Sequence, residues 1–189
     1  MKSWGDSKKV NKQLQPGLLG QGTIPKPLHG INPRTIMGAS AWSKLRVNII
    51  NDSPYCKACG KDTLVLDLHE DYAINYVEGS LILKQYVPLC KTCHSFIHIG
   101  LLTVLISNSD ISIFKGQQII QHGLNICRDN KIKVFYHTTA LAEKLRVDTT
   151  GISSWTPPPS YKAWTDWYLE YEGAKHKGMS KKAWEGKYR

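Results

Sequence analysis

The segment "LCKTCHSFIH", Leu89 to His98, places two cysteines three residues apart and then two histidines four apart. Upstream, "CKACG" at residues 56–60 offers a second C-x-x-C pair, and between the two lies "LDLHED", where His69 directly precedes Glu70. Cys56 with Cys59 and Cys90 with Cys93 have the ligand count and spacing style of a closed, tetrahedral, structural zinc site. Such a site would staple together the two ends of whatever lies between the pairs. His94 and His98, at i and i+4, project from one face of a helix and can grip a single ion. If the intervening chain folds back on that helix, His69 supplies a third nitrogen. Positions then stay open for water and a phosphate oxygen, as a catalytic metal requires. The competing reading seats His94 in the zinc cluster or at a turn and packs His98 passively. Three histidines in this arrangement favour a second site.

These groups need elements to hold them. "TLVLDLH" sets Leu64, Leu66 and Leu68 against Val65, Asp67 and His69, the period-two pattern of a strand. After a loop around "NYVEGS", "LILKQYV" (Leu81 to Val87) gives a second strand that Pro88 ends, and the cysteine-histidine segment turns into a helix. The order is strand, loop, strand, helix. Ahead of it, Asn32 is placed to cap a helix with Pro33 at its first position. A further helix is expected from about Ser40 to Ile50, with Trp42, Leu45 and Ile49 on one face. Behind it, "KGQQIIQHGLNIC" and "TTALAEKLRV" read as helices, the second capped by Thr138 or Thr139. "WTPPPS" reads as a stiff extended linker. The chain therefore divides into a basic Gly/Pro-rich arm (1–31), a helical lead-in (32–54), the cysteine-histidine domain (55–106), a helical extension (107–154) and an aromatic, basic tail (155–189).

The bulk numbers limit the classes open to it. The 189 residues, 41% hydrophobic and 21% charged, describe a soluble folded protein rather than a disordered one. The longest apolar run, Ile99 to Ile106, is far short of the roughly 20 residues that span a bilayer. The start carries charge without an apolar run, so a secretory signal is not expected and the expected compartment is the cytoplasm. A net charge of +10 favours a polyanionic partner, although charge alone does not choose among DNA, RNA and a membrane surface. Lys2, Lys8, Lys9 and Lys12 could line a phosphate backbone, and Lys175, Lys177, Lys181 and Lys182 stand among aromatic residues in the tail. Alternatively, Trp164 and Trp167 pack a C-terminal helix back on the body. Cys127, outside both pairs, reads as a small buried hydrophobe.

Taken in order, "CKACG", "LDLHED", "VPLCKTCHSFIH" and the trailing "IG" resemble the HNH endonuclease family of phages and bacteria, over Cys56 to Gly100. The resemblance implies an α+β fold built on a zinc-stapled ββα-metal finger, with mostly helical N- and C-terminal extensions. It implies a structural zinc on the four cysteines and a catalytic magnesium or manganese ion on His69, His94 and His98, in a DNA-cutting enzyme of the bacterial or phage-infected cytoplasm. The family's proton acceptor falls on Glu70, where a histidine is usual, so His69, Glu70 and His94 form the implied catalytic set. Another register would make His69 the base and put Asp67 or Glu70 on the metal. The family's middle asparagine is absent, since Lys84 and Gln85 stand near its position. A second expectation is a catalytically silent zinc-stabilised nucleic-acid-binding or adaptor protein of a phage or mobile element. A third is an RNA-directed toxin using the same residues.

Overall fold

Two antiparallel strands, β1 (Leu66–Asn75) and β2 (Ser80–Cys90), form a ribbon paired from Leu66 opposite Cys90 to Asn75 opposite Ser80. A computed structural model describes residues 12–188, the side chain of Tyr188 excepted. The connecting turn is closed by the Asn75 side chain, which accepts from the amides of Val77 and Glu78. β2 outruns its sequence pattern, whereas β1 is shifted along the chain: it begins at Leu66, leaving Leu64 and Val65 exposed outside it, and runs on past His69 to Asn75. Leu66, Leu68, Glu70, Tyr72 and Ile74 continue one face of β1, while Asp67, His69 and Asp71 continue the other. In β2, Pro88 is tolerated because its carbonyl points away from β1 and accepts from the Lys57 amide at 2.9 Å, so its missing N–H removes no ladder bond. Between Asp71 and Tyr72 the register slips by one residue, leaving Lys84 of β2 as a bulge.

Helices cover both faces of this ribbon. α1 (Pro33–Met37) carries the expected Asn32 cap, reinforced by Thr35 in a reciprocal capping box. α2 (Ala39–Asp52) packs on both strands, with Trp42 edge-on to Tyr86 at 5.8 Å and Arg46 donating to the Leu66 carbonyl at 2.6 Å. From Cys90 the chain turns directly into α3 (Lys91–Ile97), breaks at His98, and resumes as α4 (Ile99–Ser107). α5 (Ile113–Asp129) lies against α3, and its apolar face (Ile119, Ile120, Leu124, Cys127) joins Val87, Leu89 and Phe96 in the larger core. β3 (Val134–Phe135) feeds straight into α6 (Tyr136–Lys144), so Phe135, not Thr138 or Thr139, occupies the cap. β3 is paired in parallel with β4 (Ser154–Trp155), and that pairing fixes where the helix begins.

The tail departs from the helical extension expected of it. β5 (Tyr168–Tyr171) and β6 (Ala174–Lys177) form a hairpin, and β5 pairs in parallel with Ser80–Ile82 of β2, giving a mixed four-stranded sheet in the order β1-β2-β5-β6. Its turn residues Glu172 and Gly173 both have positive φ, 50° and 76°, the geometry of a two-residue hairpin. Among the tail's described residues α7 (Lys181–Tyr188) is the one α-helix, beside a 3₁₀ turn at Trp164–Asp166, and it docks next to the turn at Lys26–Leu28. Residues 12–31 follow neither strand nor α-helix, as their glycines and prolines dictate, but they form 3₁₀ turns that bury Leu18, Leu19 and Leu28. Lys2, Lys8 and Lys9 lie outside the described residues. Among the described residues no helix is long and apolar enough to cross a membrane.

Candidate metal centres

Cys56 and Cys59 sit in a tight turn closed by two bonds, Gly60 N–H to the Cys56 carbonyl at 2.8 Å and Cys56 N–H to the Lys61 carbonyl at 3.0 Å. Gly60 has φ +74°, a conformation that glycine adopts without strain. Cys90 ends β2 and Cys93 lies in the first turn of α3, so the second pair also straddles a change of element. All four Sγ atoms lie within 4.8 Å of one another, with Cys59 and Cys90 at 3.9 Å, and none is in a disulfide. Crowded together without a cation, they cannot all ionise. Hydrogen bonds from Cys59, Cys90 and Cys93 hold the Cys56 thiol far below its usual range, and the Cys59 and Cys93 thiols are driven up, chiefly by their bonds to Cys56. A divalent soft or borderline ion is what lets four thiolates coexist at this spacing, so the set fits zinc. Cys127 stands apart in the core, its thiol pushed up to about 12 by burial.

The second cluster comes from β1, α3 and the break that follows it, since His98 lies just past the end of α3 rather than on the same helix as His94. His69, His94 and His98 offer nitrogens that also lie within 4.8 Å of one another, and their rings meet edge to face at centroid distances of 4.7 to 5.4 Å. His69 is 3% exposed, and neither of its ring nitrogens has a hydrogen-bond partner. An unpartnered buried imidazole is costly unless something binds it. Burial, followed by the charges of His98 and His94, drives the His69 pKa well below the ordinary value, and burial takes His98 down to about 4. The His94 pKa is also lowered by burial, against the opposing pull of Asp67. Neutral imidazoles with free lone pairs are what a metal needs. His94 Nδ1 lies 3.2 Å from Asp67 Oδ2, so Nδ1–H donates to the carboxylate and leaves Nε2 as the ligating atom, 3.1 Å from His98 Nε2. Asp67 thus orients a candidate ligand rather than joining the three nitrogens itself. The available signal was its place two residues before His69, on the same strand face.

Glu70 does not join this trio. Strand alternation turns it to the opposite face of β1, where Tyr72 and Tyr86 are its electrostatic neighbours and Arg34 is the cation that acts on it. Desolvation raises its carboxyl pKa. Asp71, on the trio's face and 3% exposed, is satisfied by the side-chain amides of Gln21 and Gln85. Of the tail lysines, Lys175 and Lys177 are exposed on one face of β6, with the Lys175 ammonium 4.4 Å from the Tyr168 ring centre. Lys181 and Lys182, also exposed, open α7. These four lie beyond β5, while the histidines meet at β1.

Comparison with known proteins finds no matching family model, no matching curated protein and no matching solved structure. Fold and site together define an α+β protein with a mixed sheet and a four-cysteine cluster able to hold a metal such as zinc.

Proposed function

We propose that the protein is a metal-dependent endonuclease of the HNH type that hydrolyses phosphodiester bonds in DNA. The observation that carries this reading is the presence of two donor sets of opposite character. Four sulfurs make a closed set suited to structural zinc, and three neutral imidazoles make an incomplete one, with His69 unpartnered in its interior. A closed cluster alone would suffice to staple a finger. Three neutral imidazoles suit a borderline transition ion better than the harder magnesium or manganese that the resemblance implies, and a divalent ion held by His69, His94 and His98 would act as a Lewis acid, stabilising charge that develops on the phosphate oxygens.

The protein's own groups do the rest. Asp67 fixes the tautomer and direction of His94, and burial keeps His69 and His98 unprotonated. β1 is the edge strand of the sheet, so a phosphate lying along its free edge has the histidines on one side and Glu70 on the other. Glu70 is then the proton acceptor for the attacking water, its basicity raised by desolvation. The chain's net charge of +10 supplies the sequence-independent attraction to the backbone.

Glu70's position on the opposite face from the trio also favours a second reading, a zinc-stabilised nucleic-acid-binding or adaptor protein without chemistry. Supercoiled plasmid and RNA incubated with magnesium, manganese or a chelator separate the two. The enzyme nicks or cuts with metal and stops with chelator, and His98→Ala abolishes cutting while retaining zinc. A protein that binds DNA but cleaves neither substrate with any divalent ion is the adaptor.

A further inference from the structure

The four zinc-site sulfurs differ in what surrounds them, and one meets a side chain from outside the cluster. For Cys56, Cys59 and Cys90 the backbone amides of Cys90, Lys61 and Cys93 respectively each act to lower the thiol pKa. The fourth sulfur, Cys93 Sγ, meets a side chain, His122 Nε2 of α5, at 3.5 Å. His122 lies 29 residues further along the chain and outside the finger segment, so this contact exists only because α5 docks closely on α3. Gly123 permits that approach: a Cβ at this position would overlap the ring of Phe96, which is itself 1% exposed. One residue before the glycine, the imidazole reaches the sulfur.

A thiolate has no proton to give, so in a metal-loaded cluster the bond must run from Nε2–H to sulfur. We propose that His122 is a positioning residue of the zinc centre, its Nε2–H donating to the Cys93 thiolate and tying α5 to the metal. The inference rests on reading the four cysteines as a zinc site. Four thiolates around one divalent ion carry a net charge of −2, and donors outside the ligand shell offset it and hold each sulfur in place. Zinc then staples three segments rather than two, the Cys56–Cys59 turn, the start of α3 and the middle of α5.

The test uses the full chain loaded with zinc, and in parallel with cobalt(II), whose thiolate charge-transfer absorption reports on the sulfurs. His122→Leu keeps bulk and removes the donor, whereas His122→Gln places an amide N–H near the position of Nε2. Expected for His122→Leu are zinc release to a competing chelator faster by about tenfold, in line with the usual effect of losing an outer-shell partner, and a shifted cobalt–thiolate band. His122→Gln should stay near wild type in both. Wild-type release and an unshifted band in His122→Leu would overturn the proposal. Equal impairment of Leu and Gln would do the same, because packing and not the N–H would then be responsible. Should His122→Leu fail to fold, His122→Ala stands in for it against Gln. A wild-type chain that takes up neither zinc nor cobalt defeats the zinc-site reading itself, and the proposal with it.

Discussion

At the scale of single residues, the trio's chemistry depends on groups that do not themselves ligate. Asp67 holds His94 through Nδ1, and Asp67→Asn replaces a charged acceptor with a neutral amide that can present either its oxygen or its NH₂. Divalent-ion affinity at the histidines should fall by roughly 10- to 100-fold, with zinc content unchanged, as titration calorimetry and elemental analysis can check. Glu70→Gln removes the proposed proton acceptor and keeps its shape. Cleavage should fall by about 10² to 10⁴ with metal affinity intact. Because burial raises the Glu70 carboxyl, the acid limb of the wild-type pH–rate profile should lie above the ordinary glutamate value of about 4.3, and in the amide variant only the acid loss set by the histidine cluster should remain. A loss that excess metal rescues would instead place Glu70 on the ion. Six of the seven ligand candidates were legible in the sequence because C-x-x-C spacing and an i, i+4 histidine pair are local patterns, whereas His69 follows only if the strand folds back on the helix. Asp67's role was less so, and His122's not at all, since its contact with Cys93 spans 29 residues and depends on how two helices dock.

Elements show the same division between local and distant causes. The order strand, turn, strand, helix was readable because alternation, a polar turn and the cysteine-histidine run succeed one another directly. The ends of β1 were not readable, because pairing with β2 and burial of Tyr72 extend the strand past His69 to Asn75. The tail reads as helix or solvated segment until β2 offers its outer edge at Ser80–Ile82, which β5 occupies with Leu169 fully buried. That hairpin leaves Tyr168, Lys175 and Lys177 together on the face opposite Leu169 and Tyr171. If this face tracks a nucleic-acid backbone, replacing Lys175 and Lys177 with alanine should weaken binding about equally for unrelated sequences. The slope of log affinity against log salt should also shrink by roughly one for each lost phosphate contact. Fluorescence anisotropy across a salt series measures both. An unchanged slope would assign these lysines to solvent.

Across the whole molecule, the two ends of the described chain are joined by a contact that needs a neutral histidine. The indole N–H of Trp184 in α7 donates to His29 Nδ1 at 3.2 Å, while His29 Nε2 lies 3.0 Å from the Ile24 carbonyl, to which it donates. Lys26 lies over the Trp184 ring at 4.9 Å, Trp164 packs against it at 6.0 Å, and the Met179 amide bonds to the Pro27 carbonyl at 2.8 Å. Protonating His29 at Nδ1 would turn the acceptor into a second donor facing the indole N–H. Burial lowers the His29 pKa, Lys26 adds to that, and the Ile24 carbonyl opposes both. Since the folded-state value is depressed, the stabilisation from this contact is complete above the unfolded value of about 6.5 and declines as pH falls from there towards the folded pKa. Once the fall of base-catalysed exchange with pH is divided out, the α7 amides should therefore show excess exchange, a loss of protection, between pH 7.5 and 5. In His29→Asn, whose amide does not titrate, that excess should disappear. The zinc and histidine clusters also respond to acid, so protection of α5 serves as the internal reference for their loss. Flat α7 protection in the wild type would mean that the C-terminal helix is held by its aromatic packing and the Met179 bond, with His29 a bystander.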